Sequence, residues 1–164
     1  MKLLGQRGIV FIIMLFFVMS GTAFAENDTD KQKIFHVPPK NIAKYIDNTG
    51  GQKRVLMIYT SWCPYCRKKM PGLIDLENTK PGSVIAVSVD ENYSDFTGFI
   101  KRYKDAPFKF ILNNGSEYAL VKELKQYGAK AWKGYPTIMF LDENGKVVAQ
   151  GNFSIDQMSM HLFY

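Results

Sequence analysis

Two cysteines and two histidines are all that this chain of 164 residues contains. That scarcity excludes a disulfide scaffold, which needs several cysteines distributed along a small exported domain. A zinc site needs about four ligands, so it would require Cys63, Cys66, His36 and His161 together. The two histidines lie near opposite ends of the chain, without the paired spacing of such sites. No metal and no cofactor is expected. Long apolar runs are missing too: the longest, Ile9 to Met19, has eleven residues, well short of the roughly 18–20 that span a bilayer. There is no internal repeat and no low-complexity tract. Lysine and arginine number 21 against 15 acidic residues, a net charge of +6, but they are scattered and form no basic stripe interleaved with aromatics. This is a solvated surface, and nucleic-acid binding is not expected. The chain is 46% hydrophobic and 14% aromatic, enough for one domain with a sizeable core.

The two cysteines stand together in Trp62-Cys63-Pro64-Tyr65-Cys66. Two intervening residues let both sulfurs meet across the first turn of a helix. Such a loop is very small, so closing it restricts the unfolded chain little and stabilises little. A bridge of little structural use suits a reversible redox pair. Cys63 is expected as the exposed nucleophile, with Cys66 one turn deeper as the resolving thiol. The free N–H groups and dipole of the helix start favour thiolate at Cys63, and Arg67, Lys68 and Lys69 add positive charge nearby. Pro64 suits a first helical turn, where its missing N–H has no partner to lose.

Residues 1–25 read as a secretory signal peptide. Lys2 and Arg7 precede the apolar run, and Ala23-Phe24-Ala25 offers a small-residue cleavage site. The mature chain would begin near Glu26 and work in a periplasm, where disulfides persist. If retained, residues 9–25 would instead anchor the chain to the inner membrane. Residues 26–37 read as a disordered leader and residues 38–164 as one domain.

Within that domain, Pro38-Pro39 opens a helix carrying Ile42, Ala43 and Ile46, and Gly50-Gly51 stops it. Val55 to Tyr59 is a short apolar run read as a buried strand. The helix from Pro64 to about Asn78 contains Pro71, which is expected to kink it. Val84 to Val89 is a second strand, ending at Asp90. Ser94 starts a helix with Phe96, Phe99, Ile100 and Tyr103 on one face, and Phe108 to Leu112 is a short extended piece. Leu120, Val121, Leu124 and Tyr127 share a face of the next helix, which ends at Gly128. Thr137 to Leu141 and Lys146 to Gln150 form a hairpin around Glu143-Asn144-Gly145, and Ser154 caps a last helix with Ile155, Met158 and Leu162 inward. Strands alternating with helices, closed by a hairpin, indicate an α/β fold with a mixed central sheet flanked by helices.

A strand leading into Trp-Cys-x-x-Cys at a helix start, Pro71 within that helix, and Gly134-Tyr135-Pro136-Thr137 before a hairpin resemble the thioredoxin fold. Val87 to Glu91, Phe108 to Asn114 and Pro136 to Val148 are similar to the TlpA-like branch of exported thiol-disulfide oxidoreductases, which inserts a helix and a short strand before a cis-proline. The resemblance covers roughly residues 38–164. It implies a cis Tyr135–Pro136 bond facing the redox pair and a Tyr135 backbone that pairs with substrate. Trp62, Pro64 and Tyr65 would complete the substrate-binding rim. It also implies disulfide- or thiol-containing exported proteins as partners, with an upstream membrane thiol reductant or oxidant.

Four positions depart from that pattern. Met57 stands where thioredoxins bury an aspartate, and Lys69 where many TlpA-like members carry a glutamate. Water or Glu77 is then left to take the Cys66 proton. Thr137 replaces the acidic residue that cytochrome c maturation members often place after the cis-proline, and Pro64-Tyr65 is the glutaredoxin dipeptide without an arguable glutathione site. The expected function is an exported thiol-disulfide oxidoreductase acting as a reductant and as a monomer. A dithiol oxidase and a non-catalytic binding module on the same fold are the alternatives. A peroxidase would need proline where Leu56 stands, and a disulfide isomerase would need a dimerisation domain for which there is no room.

Overall fold

Six strands form one sheet in the order β1-β4-β3-β2-β5-β6 in the computed structural model, which describes residues 34–164. In chain order the elements are β1 (Ile34–Val37), α1 (Pro39–Asn48), β2 (Arg54–Tyr59), α2 (Pro64–Thr79), β3 (Val84–Ser88), α3 (Tyr93–Ile100), β4 (Phe110–Asn113), α4 (Glu117–Leu124), β5 (Thr137–Leu141), β6 (Val147–Gly151) and α5 (Ile155–Phe163). Strands β1 to β4 pair in parallel, while β5 pairs antiparallel with β2 and β6. The sheet is therefore mixed, and the fold is thioredoxin-like.

The central position of β2 explains its unbroken apolar run. Every residue from Arg54 to Tyr59 is buried, because helices cover both faces. Side chains alternate along the strand. Val55, Met57 and Tyr59 join Cys66, Met70, Leu73 and Phe96 in one core. Leu56 and Ile58 join Ile42, Ile46, Leu120 and Leu124 in the other. Each such buried aliphatic or aromatic side chain contributes about 1.5–3 kcal/mol.

Local signals end the elements as the residue types require. Pro71 has no N–H to donate to the Arg67 carbonyl one turn earlier; the Tyr103 hydroxyl donates to that carbonyl instead, at 3.3 Å. Gly128, at φ +93°, closes the turn after α4 in a conformation that side chains disfavour. Gly145 turns the β5–β6 hairpin at φ +77°, and a Cβ there would lie 3.0 Å from Ile46 Cγ2. Ser154 and Gln157 form a reciprocal capping box at the start of α5.

Several expectations change. Residues 34–37, assigned to a disordered leader, form β1, which pairs in parallel with β4 from Ile34 opposite Phe110 to Val37 opposite Asn113. The Asn114 N–H also donates to the Val37 carbonyl at 2.9 Å. Four residues are too few to show a period, and their partner strand is remote in sequence. The rest of that leader and the signal segment lie outside the described residues. Helix α3 starts at Tyr93 rather than Ser94, because the Asn92 side chain caps it by accepting from the Ser94 N–H. Tyr103 lies in a following 3-10 turn, and Val121 is only partly buried. Between β3 and β5, where the resemblance places an insertion, the chain supplies β4, which sits between β1 and β3.

Candidate active site

Cys63 caps α2 and Cys66 occupies the helix's first turn. The Cys63 sulfur accepts from the Cys66 backbone N–H at 3.3 Å, and its thiol donates to the Tyr135 carbonyl at 3.4 Å. The Tyr135–Pro136 peptide is cis. The Tyr135 carbonyl is thereby placed against Cys63, with Pro136 next in the chain, and Pro64 and Tyr65 follow Cys63 on the helix. Both cysteines are unbridged, so this is the dithiol form.

The expected exposure of Cys63 is corrected. Cys63 is 3% exposed and Cys66 fully buried. The Cys63 thiol is tucked against the Tyr135 carbonyl, while the neighbouring Trp62 and Tyr65 are 61% and 64% exposed. The Trp62 ring meets Tyr135 edge-on at 6.1 Å. Trp62 and Tyr65 thus leave two exposed aromatic rings beside the buried sulfur.

Burial pushes the Cys66 thiol far above its ordinary range, and its hydrogen bond with Cys63 adds to the rise. A backbone hydrogen bond with Thr60 opposes it, whereas nearby Cys63 and Asp90 raise it further. Lys69 moves the other way: burial lowers its pKa, with the Cys66 charge opposing. Its ammonium donates to the Phe153 carbonyl at 2.6 Å. The Arg67 guanidinium donates to the Ser61 carbonyl at 2.8 Å, holding the loop before Cys63. The histidines do not join the thiols. His161 lies 3.0 Å from the Leu141 carbonyl and stacks on Phe140, and His36 packs on Tyr93.

Residues 40–157 match the Redoxin family. The chain belongs to the Redoxin family. Among its relatives is sporulation thiol-disulfide oxidoreductase A of Bacillus subtilis, 27% identical over 157 residues, 88% of each chain. Thiol-disulfide oxidoreductase ResA of Oceanobacillus iheyensis is 27% identical over 159 residues, 85% of this chain and 78% of the relative. In structure, the chain is similar to a thiol:disulfide interchange protein of the thioredoxin family from Chlorobium tepidum. That TM-score is 0.57 at 18% identity, covering 70% of this chain and 80% of that one. An exposed lipoprotein thioredoxin of Streptococcus pneumoniae gives 0.56 at 22% identity, covering 71% and 87%. This Redoxin protein is a thioredoxin-fold thiol-disulfide oxidoreductase.

Its acidic group was not found by sequence reasoning. Asp90 follows β3 and is 8% exposed. Its carboxylate accepts from the Ser61 N–H at 2.9 Å, the Ser61 hydroxyl at 2.8 Å and the Ser88 hydroxyl at 2.6 Å. A buried carboxylate needs such donors, and here they pin the loop that delivers Cys63. The available signal was an aspartate at the carboxyl end of a parallel strand, where sites of α/β folds gather. Glu77, considered as a proton acceptor, serves elsewhere. Its two oxygens accept from the Gly82 and Val84 N–H groups at 2.7 and 2.8 Å, closing the turn between α2 and β3. Thr137 likewise has a local role, donating to the Gly134 carbonyl at 2.8 Å.

The raised Cys66 pKa makes stability depend on pH. An unfolded cysteine ionises near pH 8.5, whereas folded Cys66 resists ionising until a higher pH. The stabilising contribution is thus full below about pH 8.5 and declines above it, by up to about 1.4 kcal/mol per pH unit. Unfolded tyrosines titrate only near pH 10, so between about pH 8 and pH 9.5 the difference in urea midpoints between the dithiol protein and Cys66→Ser isolates this thiol. The dithiol protein is expected to lose stability over that interval, and Cys66→Ser to lose less. Equal slopes for the two proteins would refute the assignment.

Proposed function

We propose that this Redoxin protein is exported and reduces disulfides in other exported proteins. The observation that carries the reading is the buried dithiol at the start of α2, with Cys63 Sγ held by the Cys66 N–H and facing Tyr135. Cys63 thiolate attacks one sulfur of the partner disulfide. That bond breaks, and the partner's other sulfur leaves as thiolate and takes a proton from solvent. Cys66, kept protonated by burial, then loses its proton and attacks Cys63 Sγ. The Cys63–Cys66 disulfide forms as the mixed disulfide breaks. The partner's second sulfur leaves as thiolate and takes up a proton in place of the one Cys66 gave to solvent, and two electrons have passed to the partner. An upstream membrane thiol reductant restores the dithiol, and the protein acts as a monomer.

The TlpA-like resemblance supports reduction over oxidation, and the apolar run before Ala23-Phe24-Ala25 supports export. Among the described residues, no helix is long and apolar enough to cross a membrane.

The reduction potential of the Cys63–Cys66 couple, equilibrated against glutathione, tests the direction. A value near about −270 mV is expected; one near about −120 mV would make the protein a disulfide donor. Mass spectrometry of the exported protein tests the location and is expected to find an N-terminus near Glu26. Recovery of the uncleaved chain alone, in membranes, would replace the free periplasmic form by an anchored one.

A further inference from the structure

We propose that the cleft beside Cys63 receives a basic segment of the partner protein, with Lys or Arg close to the cysteine under attack. The proposal rests on the reading that the substrate is a protein disulfide.

The cleft has a volume of about 880 Å³ and lies at the carboxyl ends of β1, β3 and β4. It opens next to the reactive sulfur, because Trp62 and Tyr135 belong to its lining and the Tyr135 carbonyl accepts from the Cys63 thiol. A segment joined to Cys63 would therefore extend into it.

Its charge is opposite to that of the chain. The protein carries a net +6, yet four carboxylates line the cleft: Asp90, Glu91, Asp95 and Glu117. Among the described residues that line it there is no lysine or arginine. Asp90 is committed to Ser61 and Ser88, and one Glu117 oxygen accepts from the Tyr135 hydroxyl at 2.6 Å. Glu91 and Asp95 are exposed residues of the lining. Carboxylates gathered in a cleft focus the field and raise the local concentration of cations.

A second observation points to a bound polypeptide. Thr60 and Asn113 line the same cleft and are 3% and 7% exposed. Thr60 Oγ1 and Asn113 Oδ1 have no hydrogen-bond partner among the described residues. Buried polar atoms are normally paired, and a docked segment's N–H groups would pair these. Beyond Trp62 the character changes: a smaller pocket of about 310 Å³ has Arg67 and Arg102 in its lining. Asp95 lines this pocket as well as the cleft, so across Trp62 the lining changes from carboxylates without Lys or Arg to a carboxylate beside two guanidinium groups, and the position of a substrate's charge relative to its cysteine matters.

The test uses synthetic peptides whose single cysteine is disulfide-linked to a small neutral thiol. Two lysines or two glutamates are placed before or after that cysteine. With the wild-type dithiol protein at low salt, the Lys peptide of one placement is expected to react about tenfold faster than its Glu counterpart. At about 0.5 M salt that preference shrinks severalfold. Glu91→Gln with Asp95→Asn, both exposed positions, is expected to bring the ratio close to one. Equal rates for Lys and Glu peptides in both placements would overturn the proposal, as would a preference that survives the double substitution. If a small neutral disulfide is reduced while the peptides show no charge preference, the acidic cleft is refuted and the oxidoreductase reading stands. If no disulfide is reduced at all, both fall.

Discussion

Cys63→Ser is expected to abolish disulfide exchange, and Cys66→Ser to accumulate a mixed disulfide with its substrates. The two outcomes differ because the two sulfurs face different surroundings. Cys63 stands at the helix start, against the carbonyl of Tyr135, whose ring meets that of Trp62, and on the proposed reading a partner sulfur arrives there. Cys66 is fully buried and held as a thiol by that burial. It can attack only a sulfur already bonded to Cys63. Without Cys63 there is no nucleophile, and turnover falls by several orders of magnitude, as for loss of other covalent nucleophiles. Without Cys66 the first step proceeds and the second does not. A non-reducing gel of cell extract distinguishes them: Cys66→Ser gives high-mass bands that collapse with reductant, and Cys63→Ser gives none. The reverse pattern would exchange the two roles.

Asp90→Ala is expected to destabilise the protein by about 3 kcal/mol, from the loss of one carboxylate and the donors it leaves unpaired. The Ser61 N–H, the Ser61 hydroxyl and the Ser88 hydroxyl all donate to it in a buried setting. A buried donor without its acceptor costs about 1–3 kcal/mol, and the hydroxyls can turn to recover part of this. Asp90→Asn separates charge from shape. It keeps one acceptor oxygen, so its stability loss is smaller. It also removes a negative charge that raises the Cys66 pKa, so Cys66 is expected to ionise at lower pH. Urea midpoints check the first effect. The pH dependence of Cys66 alkylation, measured with Cys63→Ala alone and with Asp90→Asn added, checks the second. An unmoved alkylation profile would show that the Asp90 charge does not reach the thiol, leaving it an anchor for the loop alone.

Much of the fold was legible because its signals are local. The apolar run Val55–Tyr59 reads as a central strand because burial on both faces demands it. Ile42, Ala43 and Ile46 mark the inner face of α1, and Ser154 marks the start of α5, because helix periodicity and capping involve residues three or four apart. The Cys63–Cys66 pair was legible for the same reason: two residues between them on a helix start suffice for the chemistry.

What the tertiary structure alone decided depends on residues far apart in sequence. β1 is a strand only because β4 lies beside it, with Ile34 opposite Phe110. The Asp90 side chain reaches Ser61 across 29 positions, and the Tyr135 carbonyl reaches Cys63 across 72. Neither pairing leaves a periodic trace. The parallel order β4-β3-β2 aligns three carboxyl ends at one edge and so collects Glu91, Asp95 and Glu117 around a single cleft. By itself the sequence determined the chemistry, a dithiol at a helix start, because that chemistry needs only neighbouring residues. The burial of Cys63, the buried Asp90 carboxylate that holds the loop before it and the negative cleft came from the sheet's topology, because only packing sets which remote side chains share a dry, low-dielectric space.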